Sequence, residues 1–166
     1  MATRKENTVT INHAPARVYE AFSQQAYWEH IAQNLSPEAG SVNSFTAENG
    51  IEAVLFEVLP MELIPEAVRG MISQSLKVKR VITYPALDGN SAEGKYTADV
   101  KGTPVDFEGT INLSGDDAFT TLAYNHKVTV AIPMMGAAIE PKVADELVKL
   151  YEREAELTEK WIAENL

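Results

Sequence analysis

Apolar and polar residues alternate with a period of two through most of this chain, and with a period of 3.6 near its C-terminal end. Residues 8–11 alternate and are rich in β-branched side chains, which predicts a first strand. Pro15 then opens a helix to about residue 23, and apolar residues spaced four apart predict a second helix over residues 26–35. The chain therefore begins with a strand and two short helices.

From residue 40 to residue 132 the period of two predicts about six strands in an antiparallel meander. In the last two strands, apolar residues share one face and polar residues the other, so we expect one face of the sheet to be buried. Residues 60–74 are apolar but irregular, which predicts a loop with a short helix over residues 66–72. Four turn signals separate the strands: residues 48–50, 88–90, 101–104 and 114–117.

The period of 3.6 predicts a last helix over residues 137–164, about 42 Å long at a rise of about 1.5 Å per residue. Its apolar side chains fall within an arc of about 80°, and its charged side chains lie on the opposite side. A helix with this pattern packs along a sheet. The apolar arc contains Ile139, Val143, Leu147, Leu150, Leu157 and Trp161.

Composition narrows the class of protein. A length of 166 residues, with 45% hydrophobic and 23% charged residues, predicts a single folded domain over residues 1–166. The 24 acidic and 14 basic residues give a net charge of −10, which disfavours nucleic acid and anionic membranes as partners. No apolar run has the length of a signal peptide or a membrane span, which predicts a cytoplasmic protein without integral membrane association.

Motifs for covalent, metal or phosphate chemistry are missing from the sequence. There is no cysteine, which excludes disulfides and cysteine-ligated metals. The three histidines lack the spacing of a metal site, and the glycines are isolated rather than grouped in a nucleotide-binding loop. We therefore expect neither a metal nor a cofactor.

The order of elements, β-α-α-β6-α, resembles the α+β helix-grip fold of the START and polyketide-cyclase-like superfamily, in which a curved antiparallel sheet wraps around the last helix. The resemblance is carried by residues 8–22, where a strand enters a helix that begins with proline, and by Tyr27-Trp28. Residues 127–136, leading into 139–143 and ending near 159–162, are similar to an actinobacterial branch known only as a domain of unknown function. The resemblance covers the whole chain, both in the order of its elements and in their pattern of apolar and polar residues.

This resemblance implies a cavity between the sheet and the last helix, used across the superfamily for lipids, sterols, polyketides and aromatic metabolites. Some members are enzymes and many only carry a ligand. On this chain, Val143, Leu147 and Leu150 of the last helix are expected to line the cavity. Met134 and Met135 are expected at its mouth, where flexible thioethers adapt to apolar shapes; filling gaps in the core is their alternative role.

Two charged residues fall where their neighbours are apolar. Glu154 lies within the apolar arc of the last helix, and Arg80 shares a strand face with Val78 and Ile82. Because an unpaired buried charge is costly, we expect these two side chains to come within hydrogen-bonding distance. The pair is either a structural salt bridge or a polar anchor for a ligand.

Three further polar residues are expected to face the interior: Tyr84, Tyr96 and His126. Their hydroxyls and imidazole are candidates for hydrogen bonds to a ligand. For His126 the alternative is a core histidine that is hydrogen-bonded within the protein.

The leading hypothesis is a binding or carrier protein for a small hydrophobic or amphipathic ligand, such as a lipid-like, polyketide-like or aromatic molecule, without catalysis. The alternative is an enzyme of the cyclase, dehydratase or hydrolase kind, in which His126, Tyr84 or Glu154 exchanges protons. A module that acts on a partner protein is a third class.

Overall fold

The computed structural model describes residues 2–59, 66–69, 76–101 and 103–166. In chain order, the elements are β1 (Thr3–Ile11), α1 (Pro15–Phe22), α2 (Gln25–Asn34), β2 (Ser41–Thr46), β3 (Ile51–Leu59), α3 (Glu66–Arg69), β4 (Leu76–Tyr84), β5 (Ala92–Val100), β6 (Val105–Gly115), β7 (Thr120–Val130) and α4 (Gly136–Asn165).

The strands form one antiparallel sheet in the order β1-β7-β6-β5-β4-β3-β2. Strands β2 to β7 are therefore neighbours in chain order, as in the predicted meander, and the last strand, β7, also pairs with β1. Helices α1 and α2 connect β1 to β2, the two edge strands of this sheet. The predicted α+β helix-grip architecture is confirmed.

One face of the curved sheet is buried because each strand places alternate side chains on it. Strand β5 shows the regular case, in which every second residue from Ala92 to Val100 is buried and those between are exposed. Helix α4 covers this concave face and packs against β1 and β7, with Ile139, Val143 and Leu147 buried. The core therefore lies between the concave face and α4.

Among the described residues, one predicted boundary differs from the structure by more than one residue. Strand β1 begins at Thr3 rather than at residue 8, because its first half pairs with β7 although its side chains are mostly exposed. Helix α3 covers Glu66–Arg69, and residues 70–72 of the predicted helix lie outside the described residues. Within the described part of the chain, no helix has both the length and the apolar character needed to cross a membrane.

Candidate functional site

Three charged side chains meet in the interior, one each from β3, β4 and α4. The Arg80 guanidinium donates from Nε to Glu57 Oε1 at 2.8 Å and from Nη2 to Glu57 Oε2 at 3.2 Å. Its Nη1 donates to Glu154 Oε2 at 2.8 Å. Residue exposure is only 5% for Glu57, 4% for Arg80 and 6% for Glu154. We call these three residues the buried triad.

Strand register explains why Glu57 and Arg80 meet. Arg80 lies opposite Leu55, and Glu57 lies opposite Val78, so the two charges are diagonal neighbours on the concave face. The planar guanidinium fork matches the two oxygens of a carboxylate, which makes this contact bidentate. Helix α4 then brings Glu154 to the remaining side of the same guanidinium.

The predicted contact between Arg80 and Glu154 is confirmed, but the sequence analysis missed Glu57. A signal for Glu57 is present in the alternation of β3, where it shares a face with Ala53 and Leu55. The pair that was predicted is thus part of a three-residue cluster with two carboxylates and one guanidinium.

The buried triad brings two carboxyl groups, those of Glu57 and Glu154, onto one guanidinium. Burial raises the pKa of Glu57, although the nearby Arg80 acts to lower it. Burial alone would lower the pKa of Arg80, but Glu154 and Glu57 outweigh this and raise it well above its ordinary value. Arg80 is therefore a permanent cation held by two acidic neighbours.

Two small voids lie on either side of Arg80. The first void, about 10 Å³, is lined by Arg80, Glu154, Thr158 and aromatic side chains. The second, also about 10 Å³, is lined by Glu57, Arg80 and Tyr151 together with apolar residues that include Leu147 and Leu150. Each void accommodates about one water-sized group. The aromatic side chains of the first void are Phe22, Tyr27, Trp28, Tyr84, Tyr124 and Tyr151.

Tyr151 and Arg80 line both voids and therefore separate them. The Arg80 Cζ atom lies 5.7 Å from the centre of the Tyr151 ring, within the range of a cation–π contact. Burial raises the pKa of the Tyr151 hydroxyl, so this group stays neutral at physiological pH. Sequence analysis did not single out Tyr151.

His126 belongs to a second buried polar group next to the triad. Its Nδ1 lies 2.6 Å from the Tyr96 hydroxyl, and its Nε2 lies 2.6 Å from Asn7 Oδ1. Because the amide oxygen only accepts, Nε2 carries the hydrogen and Nδ1 accepts from Tyr96. Burial lowers the pKa of His126 to about 4, which makes the neutral ring the form present at pH 7.

A glycine makes the contact between Tyr96 and His126 possible. Tyr96 of β5 lies opposite Gly109 of β6, and Gly109 lies opposite His126 of β7. A Cβ atom at Gly109 would lie 2.8 Å from Cε1 of Tyr96. The tyrosine therefore reaches across β6 through the space left by the missing side chain.

The other predicted residues are distributed unevenly. Tyr84 lines the first void and Leu147 and Leu150 line the second, whereas Val143 is fully buried and lines neither. Tyr96 and His126 also line neither void.

Met134 and Met135, which were expected at the mouth of the cavity, lie at the turn that precedes α4. Met134 is fully exposed and has a φ of 70°, which turns the chain just before α4 and directs this side chain to solvent. Met135 is 38% exposed.

A sheet of this order wrapped around one long helix is the helix-grip fold. The family model described as "Protein of unknown function (DUF2505)" matches residues 6–162, and the chain belongs to that family. An actinobacterial origin stays a prediction. None of the curated proteins matches this sequence.

Solved structures share the fold at low sequence identity. Ara h 8.0201 has a TM-score of 0.63 and 12% identity, over 99% of this chain and 100% of its own. A norcoclaurine synthase point mutant from Thalictrum flavum, in complex with a transition state analogue, has a TM-score of 0.57 and 13% identity, over 99% and 96%. The di-domain ARO/CYC StfQ of the steffimycin biosynthetic pathway has a TM-score of 0.61 and 12% identity, over 99% of this chain and 51% of its own.

Proposed function

We propose that this protein binds a small hydrophobic or amphipathic ligand between the concave sheet face and α4, with the buried triad at the polar end of the site. The ligand class is lipid-like, polyketide-like or aromatic. The protein carries or sequesters this ligand in the cytoplasm and does not transform it.

The observation that carries this proposal is a charged cluster, less than one-tenth exposed, with a void on each side. Apolar residues of similar volume are often as stabilising as a buried ion pair, or more so. A role beyond stability therefore accounts for three charges at this position. Two solved structures that share the fold support the small-molecule site, though not the absence of catalysis: one is described as a synthase with a bound transition state analogue and another as a biosynthetic ARO/CYC protein.

Ligand entry requires side chains to move, because each void holds about one water-sized group. Tyr151 is the side chain that we propose to move, since it separates the two voids. A change in its rotamer joins them beside Arg80. For the enzyme hypothesis, His126 is the least suitable of its three candidates, since its ring nitrogens are both hydrogen-bonded and it lines neither void.

Titration with the neutral fluorophore N-phenyl-1-naphthylamine tests the proposal. We expect saturable binding and a change in the emission of Trp28, which lines the first void. Ala155→Leu adds three carbon atoms, more than the void holds, and a variant that circular dichroism shows to be folded should bind about tenfold or more weakly. Ala163→Leu is the matched control, because Ala163 is exposed on the same helix and should leave binding unchanged.

Native mass spectrometry of the purified protein provides a second measurement, in which a bound small molecule would appear as added mass. Absence of both added mass and saturable fluorophore binding would contradict the proposed function. Equal binding by the Ala155→Leu and Ala163→Leu variants would contradict the location of the site.

A further inference from the structure

We propose that the polar group of the ligand is a cation, such as a primary amine, and not a carboxylate. This inference rests on the proposed function and specifies its ligand. It is drawn from the charge and hydrogen bonding of the buried triad.

The charge of the site favours a cation. Arg80 is the basic residue among the buried charged groups of the described chain, and it faces two carboxylates, Glu57 and Glu154. His126 is neutral in its hydrogen-bonded form. A ligand carboxylate would add a third carboxyl group beside two that already share one guanidinium, whereas a ligand ammonium would add a second cation for these two to share.

The hydrogen bonds of the buried triad also favour a ligand cation. Both oxygens of Glu57 accept from Arg80, but Glu154 accepts from Arg80 through Oε2. Among the described residues, no hydrogen bond reaches Glu154 Oε1. Glu154 lines the first void, so a group that enters this void meets a carboxylate that still has an acceptor to offer. A ligand donor satisfies it.

The size and the aromatic lining of the first void also favour a cation. An ammonium group is about as large as one water molecule, which is the size of the first void. The rings of Tyr27, Tyr84, Tyr124 and Tyr151 border this void, and ring faces attract cations at short range. The same rings suit an aromatic ligand body.

Three ligands of matched shape test the inference with the unmodified protein: 2-phenylethylamine, 2-phenylethanol and 3-phenylpropanoate. Their dissociation constants are measured by calorimetry and by tryptophan emission, to which Trp28 and Trp161 contribute. We expect the amine to bind about tenfold more tightly than the alcohol, and the carboxylate to bind most weakly.

A pair of variants separates the local charge from the charge of the whole protein. Glu57→Gln removes the excess negative charge at Arg80 and should reduce the preference for the amine about tenfold. Glu52→Gln removes the same charge from an exposed position on β3 and should leave the preference unchanged. If Glu57→Gln does not fold, the comparison of the three ligands on the unmodified protein still tests the inference.

The carboxylate binding as tightly as the amine, or more tightly, would overturn the inference and leave the proposed function in place. Binding of the neutral fluorophore without binding of the amine would likewise overturn the inference and leave the proposed function in place. Equal loss of preference in Glu57→Gln and Glu52→Gln would overturn the role of the triad. If neither fluorophore nor amine binds, the proposed function itself fails.

Discussion

At the scale of single residues, the stability of the interior depends on how Arg80 shares its hydrogen bonds. Arg80→Met leaves two buried carboxylates without their cation, and we expect a loss of about 3–5 kcal/mol in the free energy of unfolding. Glu154→Ala is expected to cost less, about 1–3 kcal/mol, since Glu57 still holds the guanidinium in bidentate contact. Urea unfolding at pH 7 measures both.

Replacing the whole triad is the control for this prediction. The triple variant Glu57→Leu, Arg80→Met and Glu154→Leu should be far milder than Arg80→Met alone, because no buried charge is left unpaired. A Glu154→Ala variant as unstable as Arg80→Met would show that Glu57 does not hold the guanidinium.

A methyl group at Gly109 is expected to disturb the contact between Tyr96 and His126. In Gly109→Ala the new Cβ would lie 2.8 Å from the Tyr96 ring and 2.5 Å from the carbonyl oxygen of Asn125. We expect a loss of about 1–3 kcal/mol in urea unfolding and a shift of the His126 ring signals in NMR spectra. In a Tyr96→Leu background the same substitution should cost less, because only the clash with the Asn125 carbonyl oxygen remains. Unchanged His126 ring signals in Gly109→Ala would argue against the contact.

The buried histidine predicts a pH dependence of stability. The pKa of His126 falls from about 6.5 in the unfolded chain to about 4 in the folded protein. Between these values the unfolded chain binds more protons, so this contribution, about 3 kcal/mol, is present above pH 6.5 and is lost as the pH falls toward 4. Glu57 acts in the opposite direction, because its raised pKa makes the folded state take up protons.

Comparison with His126→Gln isolates the histidine. This variant keeps a hydrogen-bonding side chain but does not titrate, so the difference in unfolding free energy from the original protein should shrink as the pH is lowered from 6.5 to 4. A difference that stays constant across this range would contradict the prediction.

At the scale of elements, periodicity predicts structure well where one face is buried along the whole element. The last helix was predicted over residues 137–164 and covers Gly136–Asn165, because its buried side recurs with each turn. Strand β1 was predicted too short, since the side chains of Arg4, Lys5 and Glu6 are exposed and hide the alternation. Backbone pairing with a neighbouring strand does not require apolar and polar residues to alternate, so the sequence pattern does not reveal it.

The same reasoning explains which parts of the candidate site were predictable. Arg80 and Glu154 each interrupt a clear apolar pattern, and this predicted their contact. Glu57 follows the consecutive buried residues Ala53, Val54 and Leu55, which obscure the period of two. The two voids depend on how side chains pack across the core, which no pattern within a single element describes.

Glu140 links the first turns of α4 to the sheet. Its Oε2 accepts from the backbone N–H of Val130 at 3.0 Å, and its Oε1 accepts from the Thr3 hydroxyl at 3.0 Å. Glu140→Ala leaves the buried N–H without an acceptor, so we expect a loss of about 1–3 kcal/mol and faster hydrogen exchange at Val130. Glu156→Ala, at an exposed position of the same helix, should change neither.

Rescue distinguishes this hydrogen bond from a general effect on α4. Glu140→Gln retains an oxygen acceptor and should restore most of the protection at Val130. Exchange as fast as in Glu140→Ala would show that charge, and not the acceptor, holds the N–H.

At the scale of the whole molecule, fold and function are supported to different degrees. The order of elements predicted the helix-grip fold, and the solved structures that share the fold agree with it. The ligand depends on a few interior side chains, and among the described residues the interior holds the carboxyl groups of Glu57, Glu140 and Glu154 and the guanidinium of Arg80. Ligand chemistry within this class has to be established protein by protein.

The absence of a side chain at Gly109 in β6 also affects how the strands of the sheet align. A slip of β6 by two residues would keep apolar side chains on the concave face, so the hydrophobic pattern alone does not prevent it. Such a slip would place Phe107 or Ile111 between Tyr96 and His126 and block their contact. The position without a side chain thus selects one strand register among alternatives that bury the same apolar face.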